Sequence, residues 1–356
     1  MLRRTGIITA LVATTALVGG VATAQETWTA EPFPQRPGLL SSIATATAAG
    51  GEVWAFGSFG QAGGTSTTSQ VYRRGAAGSW TEMPAPAGGQ LVSGAVVGPS
   101  DAWTIGWDYK HTGGTLHHWD GAAWTEIPVQ VPGAARTRPD DVHAVGGEVW
   151  LVGKAYTDGP DSRQRTFVQR WDGAAWQNVP VPESAHAATF STIGGAPDDL
   201  WLAGVRDNAA VSMHWDGTAW AEVPVPAIQV PDGAYLSVND VAANAPNDVW
   251  FSGGVQIYDR PEVRPVLMHW DGAAWSEAGA TNSPGEPGEF VRAEGALWNV
   301  AAHGVLRYEG THWQAVAGPA EGPLTAGAET GDGRLVVIGS TGEPSQENPF
   351  TAIHQG

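Results

Sequence analysis

Apolar positions in this chain come in short, recurring blocks. One block is a continuous run rich in β-branched and aromatic residues and bounded by Gly or Asp. It reads "EVWAFG" with Trp54, "DAWTIG" with Trp103, "EVWLVG" with Trp150, "DLWLAG" with Trp201, "DVWFSG" with Trp250 and "ALWNVA" with Trp298. A degenerate copy, "RLVVIG", runs from Arg334 to Gly339. Such runs predict strands covered on both faces. Upstream of each lies a looser alternating segment, such as "SSIATATA" from Ser41, "LVSGAVVG" from Leu91 or "LSVNDVAA" from Leu236. Downstream come "TLHHW" or "VLMHW", an Asp-Gly turn, and "WTEIPV" or "WAEVPV". The four segments, A to D in chain order, predict a four-stranded antiparallel meander in every unit.

The turn between C and D is the most regular part of the repeat. "HHWDGAAW" from His117 to Trp124 returns as "QRWDGAAW" from Gln169, "MHWDGTAW" from Met213 and "MHWDGAAW" from Met268. If Asp120-Gly121-Ala122-Ala123 is a hairpin loop, Trp119 and Trp124 become cross-strand neighbours on one face. Such a pair buries roughly 150–250 Å² per ring and adds about 0.5–1.5 kcal/mol beyond that burial. Pro84, Pro86, Pro128, Pro180, Pro182, Pro224 and Pro226 recur in segment D. Proline cannot donate to a ladder, so D is expected to be an edge strand carrying these prolines. Every tryptophan except Trp107 falls at a repeated position, which makes the indoles core between units; a surface ladder for sugars is the minor alternative.

Six units run from A through D. The seventh, from Leu324, supplies A, B and a last strand "FTAIHQ". The text missing from it lies at the other end, where "ETWTAEPFP" from Glu26 to Pro34 has the character of a segment D, with Trp28 as its tryptophan. A sheet divided between the termini closes a ring, and about 47 residues per unit suits a propeller blade. The expected fold is therefore all-β: a seven-bladed β-propeller occupying residues 25–356 as a single domain, with strand 26–34 completing the blade formed by 324–356. The pattern "DVWxxG…HWDGxAWxxVPxP" resembles secreted propellers of actinomycetes that carry it in tandem and are lectin-like or uncharacterised. That resemblance spans residues 25–356, is specific for fold and transfers no catalytic residue. Trp-Asp repeat propellers share Trp119-Asp120 but add a Gly-His pair absent here. The sialidase Asp-box spaces its Asp and Trp differently. Galactose-oxidase-like propellers need a cysteine, and there is none.

The first 24 residues look like a leader. Arg3 and Arg4 precede an apolar run from Ile7 to Val21, and Ala22-Thr23-Ala24 supplies small residues for cleavage after Ala24. The expectation is a secreted, extracellular bacterial protein that acts as a monomer. Absence of cysteine excludes disulfides and thiolate metal sites. The formal charge is −18, and none of the leader's residues is acidic, so its removal makes the chain more negative still. This charge argues against a nucleic-acid partner, and membrane insertion lacks a second apolar stretch of sufficient length.

Candidate chemistry sits in the B–C connections, which share one end of the ring with the D–A connections. They read "GWDYKHTGGT", "GKAYTDGPDSRQRT", "GVRDNAAV" and "GGVQIYDRPEVRPV". They read as long and mutually dissimilar, and variable loops on a repeated scaffold carry recognition. Three place an aromatic or arginine beside an aspartate: Trp107-Asp108-Tyr109, Arg206-Asp207 and Tyr258-Asp259-Arg260. Tyr156 with Asp158 is a looser version. An aromatic face with carboxylate and guanidinium suits a sugar. The leading expectation is a non-catalytic propeller that binds a glycan or another cell-surface ligand. The alternatives are a scaffold for another secreted protein, and a carbohydrate-active enzyme using a pair among Asp108, Asp158, Asp207 and Asp259. No cofactor and no metal site are expected. His118, His214 and His269 recur just before the C-strand Trp, which reads as a repeat position and not as a converging cluster.

Overall fold

The computed structural model describes residues 28–64, 66–107, 113–158, 163–258, 260, 262–279, 282–342 and 347–356. The leader falls outside them. Seven four-stranded sheets, each paired in the order A-B-C-D, form the blades. Blade 1 spans residues 40–83, blade 2 90–126, blade 3 136–179, blade 4 189–223, blade 5 234–277 and blade 6 287–317. Blade 7 spans 324–354 and takes its outer strand from the other end of the chain: Trp28–Glu31 runs antiparallel to Asn348–His354, with Trp28 opposite His354 and Glu31 opposite Thr351. This is the seven-bladed ring expected from the repeat.

The prolines do not sit in strand D. The outer strands end at Met83, Glu126, Val179 and Val223, so Pro84, Pro128, Pro180 and Pro224 lie just beyond them. Lacking an N–H and fixing φ, they stop the ladder after three or four pairs and open the D–A connection.

The paired tryptophans grip a third indole from the preceding blade. Trp119 and Trp124 are cross-strand partners with ring centroids 5.6 Å apart, and Trp54 of blade 1 stands 6.4 Å from Trp119. Trp103 meets Trp171 and Trp176, Trp150 meets Trp215 and Trp220, and Trp201 meets Trp270 and Trp275. Trp250 meets Tyr308 and Trp313, and Trp298 meets His354, which in turn packs on Trp28. All six B-strand indoles are buried. At about 25 cal/mol per Å², each contributes roughly 4–6 kcal/mol of burial as an upper bound. These six present no surface to a sugar.

The boundary between blades 7 and 1 is built differently. Strand B of blade 7 has Val336 where the others have Trp, and blade 1 has Arg74 opposite Trp80 where the others have an aromatic ring. Arg74 Nε and Nη2 each donate to Glu31 at 2.8 Å, joining blade 1 to the N-terminal strand. Phe33 fills the remaining space against Tyr72 and Trp80.

Every strand A carries a bulge, and in five of the seven blades the bulge explains the glycine of the "WxxG" motif. In blade 4 the register shifts between Phe190 and Thr192, opposite Gly204. A Cβ on Gly204 would lie 2.1 Å from the Thr189 carbonyl oxygen. At Gly57, Gly153, Gly253 and Gly339 the same clash would occur at 2.0, 2.4, 2.1 and 2.3 Å. Blade 6 has Ala301 instead, and there the irregularity is wider, between Pro287 and Phe290. The bulge re-aims strand A so that its polar side chains turn toward the axis.

Candidate functional site

Among the described residues, the axial channel and the end of the ring carrying the B–C and D–A connections offer candidate sites for a ligand. The channel holds a cavity of about 590 Å³ lined by strand A of all seven blades. Its polar lining follows from the bulges. Asp141 of blade 3 accepts from Ser93 Oγ of blade 2 at 2.6 Å and from the N–H of Ile193 in blade 4 at 2.9 Å. Asp240 of blade 5 accepts from Thr192 Oγ1 of blade 4 at 3.2 Å and from the N–H of Phe290 in blade 6 at 2.7 Å. Glu289 of blade 6 accepts from the N–H of Gly327 in blade 7 at 3.2 Å. Each carboxylate thus ties its own blade to the next.

Burial raises all three carboxyls, and their mutual repulsion adds to it for two of them. Desolvation is the largest cause throughout; Asp240 is pushed up to about 7 and Glu289 to about 8. Burial also lowers the basicity of His143, which donates to the Gly195 carbonyl at 3.1 Å, and Arg292 lines the same cavity. Sequence reasoning passed over Asp141, Asp240 and Glu289. The available signal was an acid inside an otherwise apolar segment A at matching positions of "DDVHAV", "VNDVAA" and "GEFVRA". Among the described residues, no cluster of three or more His, Asp or Glu side chains is placed to hold a metal ion.

At the B–C end, the expected residues lie on four successive blades, and of those described Trp107, Tyr156 and Arg206 are already engaged. Asp108, Tyr109 and Asp259 fall outside the described residues. Trp107 closes strand B of blade 2; its Nε1 donates to the Pro139 carbonyl of blade 3 at 2.8 Å, and the Arg138 guanidinium lies 4.7 Å over its ring. Tyr156 is overlaid by Arg136 at 4.0 Å, and Asp158 is exposed two residues beyond it.

Arg206 does not work with Asp207. It donates to Glu222 of its own blade at 2.7 and 3.2 Å, and this contact raises the arginine and lowers the carboxyl. Nor is "GVRDNAAV" a long loop, because strand B ends at Arg206 and strand C begins at Ala209. Asp207 and Asn208, with φ of 49° and 66°, form a two-residue turn of the kind that suits hairpin twist. Asn208 then reaches blade 5, donating to Ala234 O and accepting from Leu236 N. Tyr258 is 63% exposed and rests 5.0 Å from Tyr235; Arg260 beyond it is exposed.

The recurring histidines belong to the opposite end. His118, His214 and His269 each lie opposite the B-strand Trp, stacked at 4.2, 4.5 and 4.1 Å. Their Nε2 atoms stand 2.9, 2.8 and 3.0 Å from Asp101, Asp199 and Asp248. Each of these carboxylates also accepts the indole N–H of the same Trp. In blades 1, 3 and 6 an arginine takes the histidine's place, with Arg73, Arg170 and Arg307 over Trp54, Trp150 and Trp298. An imidazole or guanidinium over each of these indoles is a feature of the repeat and not a site.

No family model matches the chain, and no curated protein matches it. Its fold is shared with solved propellers. The WD40 β-propeller domain of Doa1 aligns with TM-score 0.58 at 10% identity, over 90% of this chain and 97% of that one. Kuenenia stuttgartiensis hydrazine synthase aligns with TM-score 0.57 at 11% identity, over 91% and 96%. The structure of YCF48 bound to D1 peptide aligns with TM-score 0.54 at 14% identity, over 91% and 94%. At these identities the likeness is one of fold.

Proposed function

We propose that this protein is an exported, non-catalytic binding propeller that captures a protein segment on the face carrying its B–C and D–A connections. The observation that carries the reading is the chemistry of that face. Tyr258 stands exposed beside Tyr235, and Arg136, Arg163, Arg165 and Arg260 are exposed on the same face. Tyrosine and arginine are the residues enriched where proteins bind proteins. A similar fold is found holding a peptide in YCF48 bound to D1 peptide, which supports the reading by analogy of fold alone.

A glycan is less well served. Sugar recognition asks for several open aromatic faces; Trp107 and Tyr156 each lie under a guanidinium, which leaves Tyr258 as the open ring among the described candidates. Export rests on the leader signature of Arg3, Arg4 and the Ile7 to Val21 run. The test is selection of the purified protein against a random 12-residue peptide library, run beside a glycan array. Enriched peptides that lose binding with Tyr258→Ala support the proposal. An array hit abolished by Tyr258→Ala, with no peptide enriched, would replace it with a lectin.

A further inference from the structure

Tyr258 ends a continuous strip of contacts on blade 5. Its ring rests on Tyr235, whose hydroxyl donates to Gln256 Oε1 on the facing strand. Gln256 Nε2 donates to Glu286 Oε2 at 2.6 Å. Glu286 Oε1 accepts from Ser237 Oγ at 2.5 Å and from Asn239 Nδ2 at 2.9 Å. Asn239 also lines the axial cavity, so the strip links the channel to the B–C connection that carries Tyr258. Tyr258 and Asn239 are exposed, and Tyr235, Gln256 and Glu286 are half-buried.

The local sequence keeps a place for the Glu286 carboxylate. Glu286 closes the connection between blades 5 and 6, and strand B of blade 5 carries a second glycine, Gly254, after the Gly253 of its motif. A Cβ on Gly254 would stand 3.1 Å from Glu286 Cγ and 2.5 Å from Val263 Cγ1. The carboxylate is thus seated against bare main chain and held by neutral donors. Among the described residues no cation pairs with it: Arg264 is taken by Glu277, and Arg136, Arg163 and Arg165 belong to blade 3. Asp259, Pro261, Ala280 and Thr281, which fall outside the described residues nearby in the chain, include no base. A carboxylate has about four acceptor positions, so with three of them filled one stays open, on Oε2.

We infer that this strip of blade 5 binds a basic peptide segment, a lysine or arginine side chain meeting Glu286 and a neighbouring residue of the segment lying against Tyr258. An ammonium or guanidinium supplies both the N–H that the open position accepts and the charge that balances the carboxylate. A tyrosine face receives a cation or an apolar side chain. A neutral sugar would leave the carboxylate unbalanced, which sets a peptide ahead of a glycan at this place. The formal charge of −18 also draws a basic segment toward the protein and repels an acidic one. The inference rests on the binding-propeller reading and names the partner's chemistry.

The peptide-library selection separates the two. If no peptide is enriched, the binding reading itself fails. Enriched peptides are expected to carry lysine or arginine, and their affinity, read by fluorescence anisotropy, to fall about tenfold or more with Glu286→Gln. Asn239→Lys, at an exposed position, sets an ammonium beside Glu286 from within and should weaken binding as much, so the outcome does not hang on one variant folding. Thermal unfolding checks both. Replacing the peptide's lysine by norleucine, or its arginine by citrulline, should cost a similar factor and leave the residual binding indifferent to Glu286→Gln, as direct pairing requires. Asp198→Asn removes one negative charge from an exposed turn at the opposite end of the ring and should leave the affinity unchanged. Neutral or acidic consensus peptides, or basic ones indifferent to both variants in folded protein, overturn the inference and leave the binding reading standing. A glycan retained in place of any peptide, and lost with Glu286→Gln, would reassign the strip to a sugar.

Discussion

The aspartate of the Trp-Asp-Gly turn acts through the backbone that follows it. Asp216 Oδ1 accepts from the N–H of Thr218 and Ala219 at 2.8 and 2.9 Å and from Thr218 Oγ1 at 2.6 Å. Asp120, Asp172 and Asp271 cap their own turns in the same way. Hydrogen bonds to the ionised form hold Asp216 down to about 2. Its folded value lies below the ordinary carboxylate range, so its stabilising effect is present above about pH 4 and lost as pH falls through about 2. Asp216→Ala should therefore lower the urea midpoint at pH 7, with Asp216→Asn recovering part of the loss. The gap between wild type and Asp216→Ala should close as pH approaches 2. An unchanged midpoint for the alanine variant at pH 7 would show that the turn forms without its cap.

At the scale of the element, the strand B motif is defined by what neighbouring elements leave for it. Gly204 faces a bulge whose carbonyl occupies the space of a Cβ. Gly204→Ala should cost about 1–3 kcal/mol, the usual range for overpacking, despite adding one methyl group. Trp201 fills the gap between Trp270 and Trp275 of the next blade. Trp201→Ala should cost about 3–5 kcal/mol, since the clasp cannot collapse onto the cavity. Chemical denaturation of the two variants checks both figures. A loss near zero for Trp201→Ala would mean that blades adhere mainly through strand A. The motif itself was legible in the sequence, but the reason for its glycine was not: the clash involves a carbonyl about 15 residues away, placed by a register shift that alternation alone does not reveal. Segment D was misread for a related reason. Periodic prolines mark an edge equally well from inside a strand or from just past its end, and only the observed ladder distinguishes the two.

For the whole molecule, closure and the channel decide stability. Arg74 is 3% exposed and joins Glu31 of the closing strand. Arg74→Ala leaves the half-buried Glu31 carboxylate without its partner and should cost about 1–3 kcal/mol, with Arg74→Lys recovering only part because it lacks the fork. In the channel the sign runs the other way from the turns. Asp240 and Glu289 have folded values of about 7 and about 8, well above their ordinary ranges. Their stabilising effect is complete below about pH 4 and is lost as pH rises through those folded values. The thermal midpoint should therefore fall between about pH 5 and about pH 8, and the fall should be shallower in Asp240→Asn and in Glu289→Gln. In the same cavity, Asp141, raised by burial, adds to this fall, whereas His143, lowered by burial, opposes it. The turn aspartates titrate below this window and leave it undisturbed. A midpoint that is flat or rises across that range would sink the account of the channel.

The sequence alone determined the blade, the number of blades and the way the ring closes. Those properties are written locally: each unit spells its strands by periodicity, and none can bury its faces without a neighbour, so repetition forces a ring. Tertiary structure alone decided which side chains meet. Arg206 sits next to Asp207 in the chain yet bonds Glu222, while Trp107 packs under Arg138 from the following blade. The channel carboxylates bond donors roughly one blade away in sequence, from Ser93 to Asp141 and from Asp240 to Phe290. A repeat tells which positions share a level in the ring, but bulges and turns set where each side chain points, and those directions determine which charges are paired and which stand open to a ligand.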